Sequence, residues 1–263
     1  MQEIIFEKKV SKGSRFNQIY VPKSMENVIG VGDLVKVVLL KKQEEIYYKS
    51  QARLSEFKEY LAKKVFSILQ KVGGIKAIFI VGSFLYETTY NDIDVSLIVD
   101  KEKENFENEI ENLLTKKFNQ RFHILLFSEQ KLKTLIEKDP LTRAMFDSYI
   151  SDKKFDFNHG RIIDKKHINF LLMMPEDLLE IDLSSKIFYD NIRRLITIEQ
   201  FLKNEKLDRN IILNKIKNLI EGDLLDKIKD NQEINKEELD ILRKIIKEKI
   251  YNINEMMNNG QKG

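Results

Sequence analysis

The spacing of apolar and polar positions changes several times along the chain, and each change marks a different kind of element. In residues 1–42 the apolar positions form short runs broken by turn residues. Residues 3–10 and 16–21 predict short strands, with Ser11-Lys12-Gly13-Ser14 as the turn between them. Pro22 opens a short helix in VPKSMENVIG, and GVGDLVKVVLL returns to strand after a turn at Gly32-Asp33. So small a β unit buries little by itself and needs a partner copy or the rest of the chain. From residue 43 the period lengthens. Leu54, Phe57, Leu61, Val65, Ile68 and Val72 recur at spacings of three and four, which predicts one long helix over 43–72 ended by Gly73-Gly74. This helix is either a strut between modules or packed on the next domain, and its short stripe favours packing.

Residues 75–163 alternate strand and helix. IKAIFIV is a near-continuous apolar run and reads as a buried strand; DIDVSLIV and RFHILLF are the second and third strands. KENFENEIENLLTKKF is the amphipathic crossover helix, SEQKLKTLIEK is a helix with a serine cap, and Pro140 opens a helix in LTRAMFDSYI. FNHGRIID is expected to close the region as an edge strand. Residues 176–258 read as helical throughout. One face carries Ile187, Phe188, Ile192, Leu195 and Ile196; a second carries Ile211, Ile212, Ile216, Leu219 and Ile220; a third carries Leu239, Leu242, Ile245, Ile246, Ile250 and Ile253. The expected architecture is α+β. An N-terminal β module (1–42) and a linker helix (43–74) precede a mixed sheet with helices (75–163) and a C-terminal helical bundle (164–263).

Composition narrows the classes. The 263 residues include no cysteine, which excludes disulfides, cysteine-ligated zinc and a thiol nucleophile. The three histidines, His123, His159 and His167, are not spaced as a metal-binding pair, and the last two read as ordinary surface residues. No apolar run approaches a membrane span, and MQEIIFEKKV does not read as a signal peptide, so a soluble, cytoplasmic protein without a membrane partner is expected. Charge is uneven. Residues 1–42 hold eight basic and four acidic groups, a net charge of +4, whereas the whole chain is +3. That asymmetry suits either a polyanion partner at the N-terminal end or a solvated lysine surface.

The chemistry concentrates between residues 81 and 95. Gly82-Ser83 ends a buried strand, where the backbone can turn sharply and a following helix start offers N–H groups, with the Ser83 hydroxyl, to a phosphate. Asp92 and Asp94 sit two apart on the next strand, so both carboxylates point to one face while Ile93 and Val95 enter the core. Paired carboxylates beside a phosphate cradle are what paired Mg²⁺ (or Mn²⁺) ions require, one at the attacking hydroxyl and one at the triphosphate. A solvated pair of acids at a strand end is the plainer alternative.

The order Val81-Gly82-Ser83, eight residues, then Asp92-Ile93-Asp94-Val95 resembles the signature of the DNA polymerase β-like nucleotidyltransferases. The minimal and the kanamycin-type members are nearest in layout. The resemblance covers residues 75–163 and implies metal-dependent transfer of NMP from an NTP to an acceptor. In it Gly82 and Ser83 hold the nucleotide, Asp92 and Asp94 are catalytic and bind metal, and the helical domain walls the cleft. Two positions depart from the pattern. Active relatives carry a third carboxylate on a later strand, where Arg121-Phe122-His123-Ile124-Leu125 places His123; an imidazole there can ligate metal or act as a base without adding negative charge. Many minimal members have an arginine after Gly-Ser, where this chain reads Tyr86-Glu87.

Residues 5–42 resemble the SpoVT/AbrB-type swapped-hairpin domain. The resemblance rests on Lys12-Gly13-Ser14-Arg15, then Ile19-Tyr20-Val21-Pro22-Lys23, then Gly32-Asp33-Leu34-Val35-Lys36-Val37. It implies an interleaved homodimer and DNA binding, with Lys8, Lys9, Lys12, Arg15 and Lys23 facing phosphates. Dimerisation without DNA binding is the alternative. The combined expectation is a dimeric nucleotidyltransferase acting on an unidentified acceptor, a protein among the candidates. A DNA-binding regulator or antitoxin-like protein with a sensory or degenerate fold, and an aminoglycoside-type small-molecule enzyme, are the other readings.

Overall fold

The computed structural model describes residues 5–38, 45–49, 54–101, 103–155, 157 and 160–259. The chain divides into two compact units, residues 1–43 and 44–263. In the first, strand β1 (Ser11–Lys12) pairs antiparallel with β2 (Asn17–Gln18) around a tight turn. Gly13 donates its N–H to the Phe16 carbonyl at 3.0 Å, and a Cβ at Gly13 would lie 2.5 Å from that same oxygen. Pro22 precedes a 3₁₀ turn, Lys23–Met25. The strand expected over 3–10 is absent from its described residues 5–10: β1 falls instead on Ser11-Lys12, expected as turn, because the tight Gly13–Phe16 turn draws only its immediate neighbours into pairing; β2 keeps two residues of the 16–21 run, and residues 33–38 form no strand. No described residue of this unit is buried: Phe16, Val31, Leu34, Val35, Val37 and Val38 are all exposed, Leu34 at 102%. The physical reason is that a strand needs a neighbour for its N–H and C=O groups, and among the described residues none pairs with this stretch.

The second unit is a five-stranded sheet continued into a helical bundle. The long helix expected over 43–72 is instead a strand, β3 (Tyr47–Lys49), followed by α1 (Glu56–Leu69); residues 43–44 and 50–53 lie outside the described set. Ser55 starts α1 by accepting from the Lys58 N–H at 3.3 Å. The buried face of α1 is Lys58, Leu61, Ala62, Val65, Phe66 and Leu69, a stripe rotated from the expected one, and Phe57 is 65% exposed.

Strand β4 (Ile75–Val81), β5 (Ile93–Val99) and β6 (Phe122–Phe127) match their apolar runs, with α2 (Phe106–Phe118) crossing from β5 to β6. Helix α3 (Glu129–Lys138) starts at its Ser128 cap. Helix α4 (Pro140–Met145) is shorter than expected, because Tyr149–Ser151 forms strand β7. The sheet order is β3-β7-β4-β5-β6, with β5 and β6 parallel and every other pair antiparallel. One sheet face (Ile78, Ile80, Ile93, Val95, Leu97) packs on α1 and α2. The other packs on α3 and on an aromatic group around Phe79, whose ring centroid lies 5.2–5.5 Å from those of Phe146, Tyr149, Phe155 and Phe157.

The expected edge strand in FNHGRIID is absent from its described residues. That segment carries the chain from the sheet to the bundle. Phe157 is buried among the aromatic rings, and Arg161 donates to the Phe201 and Leu202 carbonyls at 2.5 and 2.7 Å. The bundle begins at α5 (Lys165–Asp177), earlier than residue 176, and runs through Pro175 in its last turns. It continues with α6 (Ser185–Leu202), α7 (Arg209–Leu219), α8 (Gly222–Lys229) and α9 (Lys236–Asn259). Helix α6 lies at its centre, with Phe188, Ile192, Leu195 and Ile196 buried. On α7 and just beyond it, Ile212, Ile216 and Ile220 point inward, while Ile211 and Leu219 stay exposed. Leu141 of α4 packs on the bundle core and joins the two layers. No helix among the described residues is long and apolar enough to cross a membrane.

Candidate functional site

The site begins where β4 ends. Gly82 has φ +78° and ψ −155°, a conformation open to glycine and strained for other residues. A Cβ there would lie 2.3 Å from Asp94 Oδ2. Glycine is favoured by its backbone angles, and any other residue would also have to push the Asp94 carboxylate aside. Ser83–Leu85 is a single 3₁₀ turn, closed by the Tyr86 and Glu87 N–H groups donating to the Ser83 carbonyl at 3.0 and 2.9 Å. The helix start expected after Gly82-Ser83 is thus reduced to one turn. Phe84 and Leu85 turn inward to the core, which leaves too little of this short segment free to wind a helix before β5.

Asp94 lies in β5, opposite Val81 of β4 and opposite His123 of β6. Ile93, Val95 and Leu97 point into the core, so alternation puts Asp94 on the other face, two residues before buried Ser96. His123 Nδ1 lies 3.0 Å from Asp94 Oδ1. The imidazole is 58% exposed and Asp94 28%, so the pair sits at the sheet's rim. Asp92 precedes β5 by one residue and is half-buried. The structure thus brings Gly82, Asp94 and His123 together, with Ser83 and Asp92 adjoining them in the chain. Among the described residues, no three His, Asp or Glu side chains gather as a cation site. His123 engages one Asp94 oxygen, and the other faces Gly82. Mg²⁺ commonly takes one or two carboxylates and completes its shell with water and phosphate oxygens. Asp92 and Asp94 are the two carboxylates near this turn in the chain, one just before β5 and one within it.

Two side chains that the sequence pattern did not single out complete the surroundings. The Lys58 ammonium donates to the carbonyls of Phe84 and Glu87 at 2.6 and 2.5 Å and lies 5.1 and 5.0 Å from the Phe84 and Tyr90 ring centroids. Burial pushes its pKa below the usual lysine range, and the Glu87 carboxylate opposes this. It pins the turn from beneath. Its sequence signal is visible only once α1 is phased on Ala62, Phe66 and Leu69. Arg209, the first residue of α7, pairs with Glu87 at 2.5 Å, and its guanidinium carbon is 5.3 Å from the Tyr86 ring centroid. The two residues that depart from the expected loop pattern therefore form its junction with the helical bundle. Tyr189 on α6 is held above the usual phenol range by burial, with Arg193 and Arg209 opposing the shift.

Protein-family models and curated proteins offer no match to this chain.

The candidate DNA contacts are all exposed: Lys8, Lys9, Lys12 in β1, Arg15 in the turn, and Lys23 in the 3₁₀ turn. His167 on α5 is partly buried, with Nε2 3.2 Å from Asp139, and His159 lies outside the described residues. A groove of about 570 Å³ lined by Lys166, Asn169, Phe170, Met173, Glu176 and Asn254 shares no residue with the Gly82 site.

Proposed function

We propose that residues 44–263 form a nucleotidyltransferase that moves NMP from an NTP to an acceptor, and that residues 1–43 dimerise the protein and bind DNA. The observation carrying the first part is the closure of Gly82 on Asp94. A turn in a glycine-favouring conformation runs against the Asp94 carboxylate at the rim, with Ser83 next in the chain. In the proposed reaction an acceptor oxygen or nitrogen attacks the α-phosphorus, the bond to the α–β bridging oxygen breaks, and pyrophosphate leaves with that electron pair. Bound Mg²⁺ supplies charge neutralisation at the phosphates. Asp92 and Asp94 hold it, Ser83 and the turn orient the triphosphate, and His123 fixes the Asp94 carboxylate and is placed to take the acceptor's proton. Exposed apolar residues throughout 16–38 support the dimer, because a second copy would give them the burial they lack.

The test is incubation of the purified protein with Mg²⁺ or Mn²⁺ and each α-labelled NTP, with the Asp92→Ala/Asp94→Ala double variant as control. Label on the protein, a co-purified partner or added RNA, lost in the variant, is expected. Transfer that survives in the variant would sink the assignment. A second reading is favoured by one observation: His123 engages Asp94 where a third carboxylate would otherwise stand. In that reading the fold binds an NTP without turnover and regulates the N-terminal DNA-binding unit. Metal-dependent NTP binding without label transfer, together with a salt-sensitive shift of duplex DNA, would select it.

A further inference from the structure

A nucleoside triphosphate keeps net negative charge even with one divalent ion bound, and the carboxylates at this rim add more. The loop that would cradle it, Gly82 to Asp92, contains no lysine or arginine. Among the described residues, two cations reach the loop from elsewhere. Lys58 is buried, and its ammonium is committed to the Phe84 and Glu87 carbonyls. Arg209 is different. It arrives from α7, its side chain is 30% exposed, and its partner Glu87 is 46% exposed. An ion pair this exposed is weak and exchangeable. Its guanidinium lies over Tyr86, three residues from Ser83, and stacking of this kind fixes the fork's plane without using its N–H donors.

We infer that Arg209 is the phosphate-binding cation of this site, parked on Glu87 until the terminal phosphates of an NTP displace that carboxylate. The inference rests on the nucleotide-binding reading above and extends it. The Glu87 carboxylate stands in for the phosphate in the free protein, and Tyr86 carries the guanidinium through the exchange. Because α7 belongs to the bundle, the exchange couples nucleotide occupancy to the junction between the sheet and the bundle.

The two members of the pair should act in opposite directions. ATP, GTP, CTP and UTP, each with MgCl₂, are titrated into the full chain by calorimetry, with the corresponding NMPs as controls. Arg209→Ala is expected to weaken NTP binding about tenfold or more while leaving NMP binding unchanged. Arg209→Lys is expected to fall between, since it keeps the charge and loses the fork. Glu87→Gln is expected to tighten NTP binding by about two- to fivefold, the effect of removing a weak competitor. If Arg209 only braces the bundle against the loop, Glu87→Gln and Arg209→Ala will weaken binding together, and the inference is overturned. Wild-type NTP binding with no change in Arg209→Ala overturns this inference alone. No NTP binding by the wild type overturns both it and the nucleotide-binding reading.

Discussion

Gly82→Ala isolates the backbone geometry on which the candidate site depends. Two penalties act on the new methyl group. The first is conformational: φ +78° with ψ −155° lies in a region that is essentially glycine's alone, and occupying it with alanine costs about 1–3 kcal/mol. The second is steric. The added carbon would sit 2.3 Å from Asp94 Oδ2, 3.3 Å from Cγ and 3.6 Å from Cβ. Only the carboxylate tip truly collides, so a χ rotation of Asp94 relieves it. That rotation breaks the His123 contact, an exposed pair worth about 0–1 kcal/mol. The backbone term therefore dominates, and the expected loss is about 1–4 kcal/mol. Urea unfolding of the wild type, Gly82→Ala, Asp94→Ala and the double variant separates the two. Coupling between the sites should be no more than about 1 kcal/mol, so Asp94→Ala should leave most of the Gly82→Ala loss in place. A Gly82→Ala protein as stable as wild type, or one largely rescued by Asp94→Ala, would refute the strain argument.

Lys58→Met should destabilise the protein by about 1–3 kcal/mol, because the Phe84 and Glu87 carbonyls lose a charged donor. Amide exchange should quicken at Tyr86 and Glu87 but not in α9; unchanged exchange at the loop would count against the pinning role. Glu199 on α6 is nearly buried. Desolvation raises its pKa, yet hydrogen bonds from Lys203 and Lys249 more than compensate and hold it below the usual 4.5. Since its folded pKa is depressed, its contribution is present above about 4.5 and disappears as pH falls through the lower folded value. Wild type should thus outlast Glu199→Gln in urea at pH 7 and lose that advantage in acid; a difference independent of pH would contradict this. Leu34→Asp with Val37→Asp should convert the full chain from dimer to monomer by light scattering without lowering the melting temperature of the second unit. A monomeric wild type would remove the basis for the N-terminal proposal.

The apolar runs at 75–81 and 93–99 are legible because strands buried on both faces need no alternation to be seen, 122–127 is legible as an apolar run although His123 is exposed at the sheet edge, and Ser128 marks its helix through cap chemistry alone. The short strands are not. Tyr47–Lys49 and Tyr149–Ser151 are too brief to show a period, and each borders a helical signal that absorbs it in a sequence reading. Their pairing with each other is a tertiary fact, invisible in either segment. At the site, Gly82, Ser83, Asp92 and Asp94 were legible as a motif, and the register of β6 explains why His123 meets Asp94. Lys58 and Arg209 were hidden for different reasons. The lysine required the correct phase of α1, whose exposed Phe57 misleads the stripe. The arginine lies more than a hundred positions from Glu87, a separation no local pattern spans.

The place of β7 in the sheet also bears on the order in which the chain can fold as it is made. Strands β4, β5 and β6 follow one another closely and can pair as they emerge. Strand β3 cannot join them directly, because Tyr47 pairs with Ser151 and β7 stands between β3 and β4. The earliest strand of this unit must therefore wait, with its tyrosines uncovered, until β7 has left the ribosome. Only then does the edge close, and so late a long-range step is the one most exposed to chaperone capture and to pairing with the wrong strand.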